Sequence, residues 1–287
     1  MRKFLGAALS VGAMTIISLA APSTMARPVL KQSADFVVPE ANQAVGVDDK
    51  YFYAIDNQGI GKYDKKTGKL ILRWQGDRSG PILHLDSAMV MDGKIYCAHS
   101  NYPEWPMTSS MEVFDAETLE HVDSHSFGIN WGSLTWVDWH EGHWWMGFAN
   151  YDRPFGPNKT PYGHKAATQI IKFSKDFRMA EAWVLPKALL DKFDDMSNSG
   201  GSWGADGFLY LSGHDPAEVY KMKLPKGGGS ILEVVEILPM NIRGQGIAWD
   251  RSRGSRNEIW GIVRATAKEK AAGGDHKVTA FRLEEAQ

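Results

Sequence analysis

Three histidines in the 287-residue chain stand beside oxygen donors: His84 two residues before Asp86, His99 two before Asn101, and His214 directly before Asp215. Imidazole titrates near neutral pH and ligates divalent metals, so each can carry chemistry. Three readings are open. With Gln245, Gln43 or Asp86, the set His84, His99 and His214 can hold a divalent metal such as Zn, Mn or Ca. Without a metal, any of the three can be a catalytic general acid or base. Otherwise they hydrogen-bond water and loop carbonyls. No local ligand motif such as HExxH is present, so the metal reading depends on the fold to gather the histidines. Arg153 and Arg264 offer guanidinium groups to a carboxylate or phosphate, or else pair with Asp152, Asp215 or Glu104. Tyr102, Tyr151, Trp131 and Trp203 can form an aromatic platform for a sugar or other cyclic ligand. Asn101, Asn150 and Gln245 complete the candidate substrate-binding set.

The elements that must position these residues repeat five times. First strands read "QAVGVD" from Gln43, "SAMVMD" from Ser87, "LTWVDW" from Leu134, "SWGADG" from Ser202 and "GIAWDR" from Gly246. Second strands read "YFYAID", "IYCAHS", "WWMGFA", "LYLSGH" and "IWGIVR". Third strands follow, four of them with a fourth strand after, and Asp92-Gly93 and Asp206-Gly207 supply tight-turn chemistry between first and second strands. Four-stranded repeats of roughly 40 residues predict an all-β, five-bladed β-propeller. The fifth repeat ends at its third strand, "VTAFRL". The N-terminal "ADFVVPE" is expected to supply the missing fourth strand and close the ring, leaving no exposed blade edge. "PKALLDKFDDMSNSG" from Pro186 predicts one short amphipathic helix between blades three and four, and "KEKAAGGDHK" reads as a solvated loop.

This topology sends the starts of first strands and the ends of second strands to one face. First-strand starts contribute Gln43, His84 with Asp86, Ser133, Ser202 with Trp203, and Gln245. Second-strand ends contribute Asp56, His99 with Asn101, Asn150 with Tyr151, His214 with Asp215, and Arg264. The long inserts 101–109, 151–168 (with Arg153, Tyr162 and His164) and 266–276 fall there too. Polar convergence with long loops predicts a ligand pocket at that mouth of the channel. His121 and His125 fall on an outer strand, and His140 and His143 flank an opposite-face turn.

Arg2 and Lys3, the apolar run Phe4–Ala21 and "TMA" ending at Ala26 read as a secretory signal peptide over residues 1–26. Residues 27–287 are then a single propeller domain, periplasmic or secreted. Losing Arg2 and Lys3 takes the formal net charge from −2 to −4, which argues against nucleic-acid or anionic-membrane surfaces. The single cysteine, Cys97, reads as a small buried apolar residue. The tryptophans at 136, 144, 145, 249 and 260 read as inter-blade packing.

"HLDSAMVMDGKIYCAHSNYP", "EVFDAETLEHVDSHSFG", "GSLTWVDW", "GGSWGADGFLYLSGHD" and "GQGIAWDR" resemble a group of secreted bacterial propeller proteins often labelled cycloisomerases. Blade one, "QAVGVDDKYFYAIDNQGIGKYDKKTGK", is similar to the first blade of bacterial glutaminyl cyclases, which are five-bladed and exported. No catalytic motif of either family matches residue by residue, so the resemblance implies a fold and reaction class and assigns no catalytic residue. Together these readings give an enzyme of isomerase, cyclase or lyase type acting on a small polar or cyclic molecule, with no organic cofactor. The alternative is a non-catalytic propeller binding a carbohydrate, peptide or partner protein. The mouth residues differ from blade to blade, which favours one site over a repeated lectin-like one.

Overall fold

Each repeat folds as one sheet because its four extended runs are separated by turn residues that the chain can only use to reverse. The computed structural model describes residues 28–155, 160, 161, 163–243, 245–254 and 257–285. The signal-peptide reading and Tyr162 lie outside the described residues. Blade one comprises Ala44–Val47, Tyr51–Asp56, Gly59–Asp64 and Leu70–Gln75; blade two His84–Met91, Lys94–Ser100, Ser109–Asp115 and His121–Gly128. Blade three comprises Ser133–His140, His143–Ala149, Gln169–Phe173 and Met179–Val184; blade four Asn198–Trp203, Leu209–Gly213, Glu218–Lys223 and Glu233–Pro239. Blade five comprises Ala248–Trp249, Glu258–Val263 and Lys277–Glu285, and its fourth strand is Pro28–Val37. The protein is a five-bladed β-propeller closed by its N-terminal strand.

That closing strand begins six residues ahead of the apolar "ADFVV", pairing antiparallel from Pro28↔Glu285 to Val37↔Lys277 around a bulge at Gln32–Ala34. The added residues divide into an apolar half, Pro28–Leu30, and an exposed polar half, Lys31–Ser33, so apolar alternation does not mark them. Packing is a ring of five apolar interfaces, each joining consecutive blades. Leu85, Cys97 and Phe114 meet blade one; Phe148 and Phe173 meet blade two; Trp136, Trp145 and Trp203 lie between blades three and four. Trp249 and Phe281 meet blade four, and Phe52 and Trp260 join blade five to blade one. Each interface removes several large side chains from water, and this burial is the main stabilising term. The tryptophans expected to pack between blades are buried, as is Cys97.

The inner strands crowd the axis, and a Cβ on Gly246 would collide with Ala44. Below the mouth the channel narrows to about 20 Å³ among Val47, Val90, Val137, Gly201 and Ala248, one residue from each blade. Asp138 helps seal that end, accepting hydrogen bonds from Arg251 Nη2 at 2.7 and 2.6 Å and from the Trp203 amide at 2.6 Å.

One turn and one loop differ from the sequence reading. Asp92-Gly93 forms the two-residue turn expected, with φ of 51° and 72°. Asp206-Gly207 instead sits in a five-residue connection, because strand pairing stops at Trp203↔Leu209. Glu141-Gly142 makes the tight turn expected between His140 and His143, with Glu141 at φ 49°. The expected helix forms at Lys187–Leu190 and continues as a 3-10 turn through Phe193. A second short helix, Ala267–Ala271, lies where a loop is expected; Thr266 and Glu269 form a capping box at its start. No described helix is long and apolar enough to cross a membrane.

Candidate active site at the channel mouth

First strands do start, and second strands do end, on one face, and the cavity there is lined by side chains from all five blades. It measures about 110 Å³ and is lined by Gln43, His84, Asp86, Tyr102, Thr135, Tyr151, Met196, Ser199, His214, Gln245 and Arg264. Of the candidate residues, His84, Tyr102, Tyr151, His214, Gln245 and Arg264 are thus brought together, along with Gln43 and Asp86.

His84 opens the inner strand of blade two, opposite Ser100, and its Nε2 lies 3.1 Å from Asp86 Oδ1. Tyr102 packs on the His84 ring at 4.9 Å between centroids and meets Tyr151 edge-on at 6.2 Å, so one aromatic wall serves the cavity. Burial raises the Tyr102 hydroxyl above its ordinary pKa, keeping it a neutral donor. Gln245 holds a left-handed backbone at φ 93°, and Ser212 Oγ donates to its carbonyl at 2.5 Å. Strained backbone of this kind concentrates at functional sites.

His214 follows the second strand of blade four. Its Nδ1 lies 2.6 Å from Asp215 Oδ2; a carboxylate only accepts, so Nδ1 carries the proton and Nε2 is left as an acceptor. Arg264 Nη2 stands 3.4 Å from that Nε2. Burial, with help from Arg264, lowers the His214 pKa, so the ring is neutral at pH 7. The Arg264 loop is anchored from behind. Arg243 Nη1 donates to the Arg264 carbonyl at 3.2 Å and to Glu269 Oε2 at 2.6 Å, and the Ala265 amide donates to His276 Nδ1 at 2.9 Å.

Other candidates do not line the cavity. His99 spends both ring nitrogens inside blade two: Nε2 accepts from the Leu83 amide at 2.9 Å, and Nδ1–H donates to Ser110 Oγ at 2.8 Å. Ser110 in turn donates to Glu112 Oε1 at 2.5 Å, and burial keeps the His99 pKa low. The geometry makes His99 a positioning residue for the backbone beside His84. His84, His99 and His214 therefore do not converge, and no group of three or more His, Cys, Asp or Glu with metal-site spacing occurs among the described residues. Asn101 ties its own loop, donating to Pro106 O at 2.8 Å and accepting from the Thr108 amide at 2.7 Å. Asn150 Nδ2 holds the carbonyls of Trp131 and Ala167 at 3.0 and 3.2 Å. Arg153 Nε donates to Asp195 Oδ2 at 2.8 Å and stays half exposed.

Trp203 lies at the opposite end of the channel, stacked on His140 at 4.1 Å. Its strand starts at Asn198, not Ser202, so Trp203 is five residues on, roughly 16 Å away at about 3.3 Å per residue. The same offset hid Ser199, which reaches the cavity in its place. Trp131 packs on Phe127, Phe148 and Phe173 instead. Thr135 and Met196 carried no polar-cluster signal.

The fold and site define a five-bladed propeller with a blind polar cavity at one mouth. No model of a known protein family matches the chain, and no curated protein matches it in sequence. Among solved structures it is similar to the PQQ-bound form of an aldose sugar dehydrogenase from Streptomyces coelicolor. The TM-score is 0.54 and the identity 13%, over 90% of this chain and 99% of that one. It is also similar to hydrazine synthase from Kuenenia stuttgartiensis, with TM-score 0.46 and 11% identity over 84% and 83%. Likeness at this level shows the propeller fold alone.

Proposed function

We propose that the protein is an exported enzyme that uses His84 and His214 as an acid/base pair on a small polar or cyclic molecule. Isomerase, cyclase or lyase chemistry is the class meant, since each moves protons without an organic cofactor. The observation that carries the reading is the pair of His–carboxylate contacts, His84–Asp86 and His214–Asp215, supplied to one cavity by different blades. In such a contact the carboxylate orients the ring and fixes which nitrogen takes the substrate proton. His214, neutral with Nε2 unprotonated, is suited to accept a proton, and His84 to return one. The resemblance to propellers labelled cycloisomerases supports the same class. The cavity volume is well below the roughly 300 Å³ at which drug-sized pockets begin, which favours a small molecule over a peptide or partner protein.

The test is a metabolite mixture of small acids, lactones and sugars incubated with protein in D2O and followed by proton NMR. Wild type is expected to convert a component or exchange its protons, and His214→Asn and His84→Asn to slow this by 10²-fold or more. Undiminished conversion by both variants would sink the acid/base assignment.

A further inference from the structure

Arg264 and Asp86 line the same cavity, one on blade five and one on blade two, yet they do not pair with each other. The Arg264 side chain is 22% exposed, and its only ion pair among the described residues is a long one, 3.8 Å to Asp215 Oδ1. Asp215 is itself 70% exposed and already accepts from His214. A guanidinium has five N–H donors, and among the described residues the side-chain contacts of Arg264 are made through Nη2 alone, so donors remain for an anion in the cavity. Asp86 is 4% exposed, and its one ion pair among the described residues is with His84. In the same cavity Gln43, also 4% exposed, donates through Nε2 to Asn57 Oδ1 at 2.6 Å while its Oε1 is buried without a hydrogen-bond partner among the described residues. Buried charges and buried polar atoms are costly unless something satisfies them.

The structure assigns this cavity, we infer, to a small zwitterion: an amino acid whose carboxylate meets Arg264 and whose ammonium meets Asp86 and Gln43 Oε1. A ligand with one charge would meet only one of these two groups with an opposite charge, and a neutral sugar would meet neither. The two ends of the zwitterion then fall beside the two histidines, because Asp86 contacts His84 and Arg264 contacts His214. Size sets the remaining limit: about 110 Å³ holds a small amino acid and not a peptide. The inference deepens the reading of this cavity as a ligand site and does not depend on turnover.

Calorimetric titration of the full-length mature protein with glycine, L-alanine, D-alanine, L-serine and D-serine tests it, with propionate and L-alaninamide as comparators that each lack one charge. At least one zwitterion is expected to bind ten times more tightly than either comparator. Arg264→Gln and Asp86→Asn, verified as folded by their melting transitions, should each weaken it tenfold or more. Arg264→Gln should leave L-alaninamide no weaker than in wild type, a pattern that mere loss of structure would not give. Propionate binding as tightly as L-alanine, or no binding of any zwitterion to folded wild type, overturns the assignment. Binding without any turnover would keep it and instead sink the enzymatic proposal; conversion of an uncharged compound with no zwitterion binding would do the reverse.

Discussion

His99 and His214 differ in what their ring nitrogens touch, and that difference predicts opposite phenotypes. Truncating His99 leaves the Leu83 amide and the Ser110–Glu112 chain without their central partner. A partly buried donor left unpaired costs about 1–3 kcal/mol, so His99→Ala should lower stability by that order in chemical denaturation. Ligand binding should weaken only through the displaced His84 backbone. His214→Asn keeps a donor toward Asp215 and loses few packing contacts, so its stability should stay within about 0.5 kcal/mol of wild type while activity collapses. A stable but inactive His99→Ala would contradict this placement. Both histidines end second strands in the sequence, so residue type alone does not separate them. Register does: His99 pairs with Leu85 and shares its face toward blade one, while Ser100 pairs with His84. Side chains alternate faces along a strand, so a shift of one residue decides between mouth and interior. Asn101 and Asn150 read as mouth residues for the same reason, and the loops they tie were not visible as loops with internal hydrogen bonds.

At the level of the element, the strand Pro28–Val37 matters most, because it is the only outer strand of blade five and comes from the far end of the chain. Its pairing with Lys277–Glu285 carries the ring closure, and Phe36 stacks on Phe52 of blade one at 5.3 Å between centroids. Deleting residues 28–37 therefore exposes the edge of Lys277–Glu285 and strips part of the blade five–blade one interface at once. The melting transition of the whole domain is expected to fall by ten degrees or more, or to lose cooperativity, with aggregation increased. Unchanged melting after that deletion would mean the closure contributes nothing to global stability. The closure was legible because four internal fourth strands for five repeats leave one edge open. The start of blade four was not, since "SNSGG" has the composition of a loop. It is a strand because Gly200 and Gly201 let it approach Gly246 and the Trp136 ring where any Cβ would collide.

Across the molecule, burial holds several histidines neutral, and this fixes how stability must depend on pH. His99, His125, His140, His214 and His276 all have pKa values below the ordinary 6.5, with burial the leading cause in each. In the unfolded chain each takes up a proton near 6.5, while in the folded chain it does so only at lower pH. Between those limits the unfolded state binds more protons, so stability falls as pH falls. A fully buried histidine contributes at most about 1.4 kcal/mol per pH unit over that range. His99 and His276, the most enclosed, should supply most of the slope, and the more exposed His125 and His140 much less. The carboxylates held below their usual range, among them Asp64, Asp77, Asp115 and Glu269, act in a separate window below about pH 4.5. Melting temperatures at constant ionic strength should accordingly be level from pH 8 to 7 and decline from pH 6.5 to 5. His276→Gln, which can still accept from the Ala265 amide, should flatten that decline without a comparable loss at pH 8. A melting temperature that stays level or rises between pH 6.5 and 5 would mean these rings are charged in the folded protein. The neutral His214 that the proposed chemistry requires would then be wrong as well.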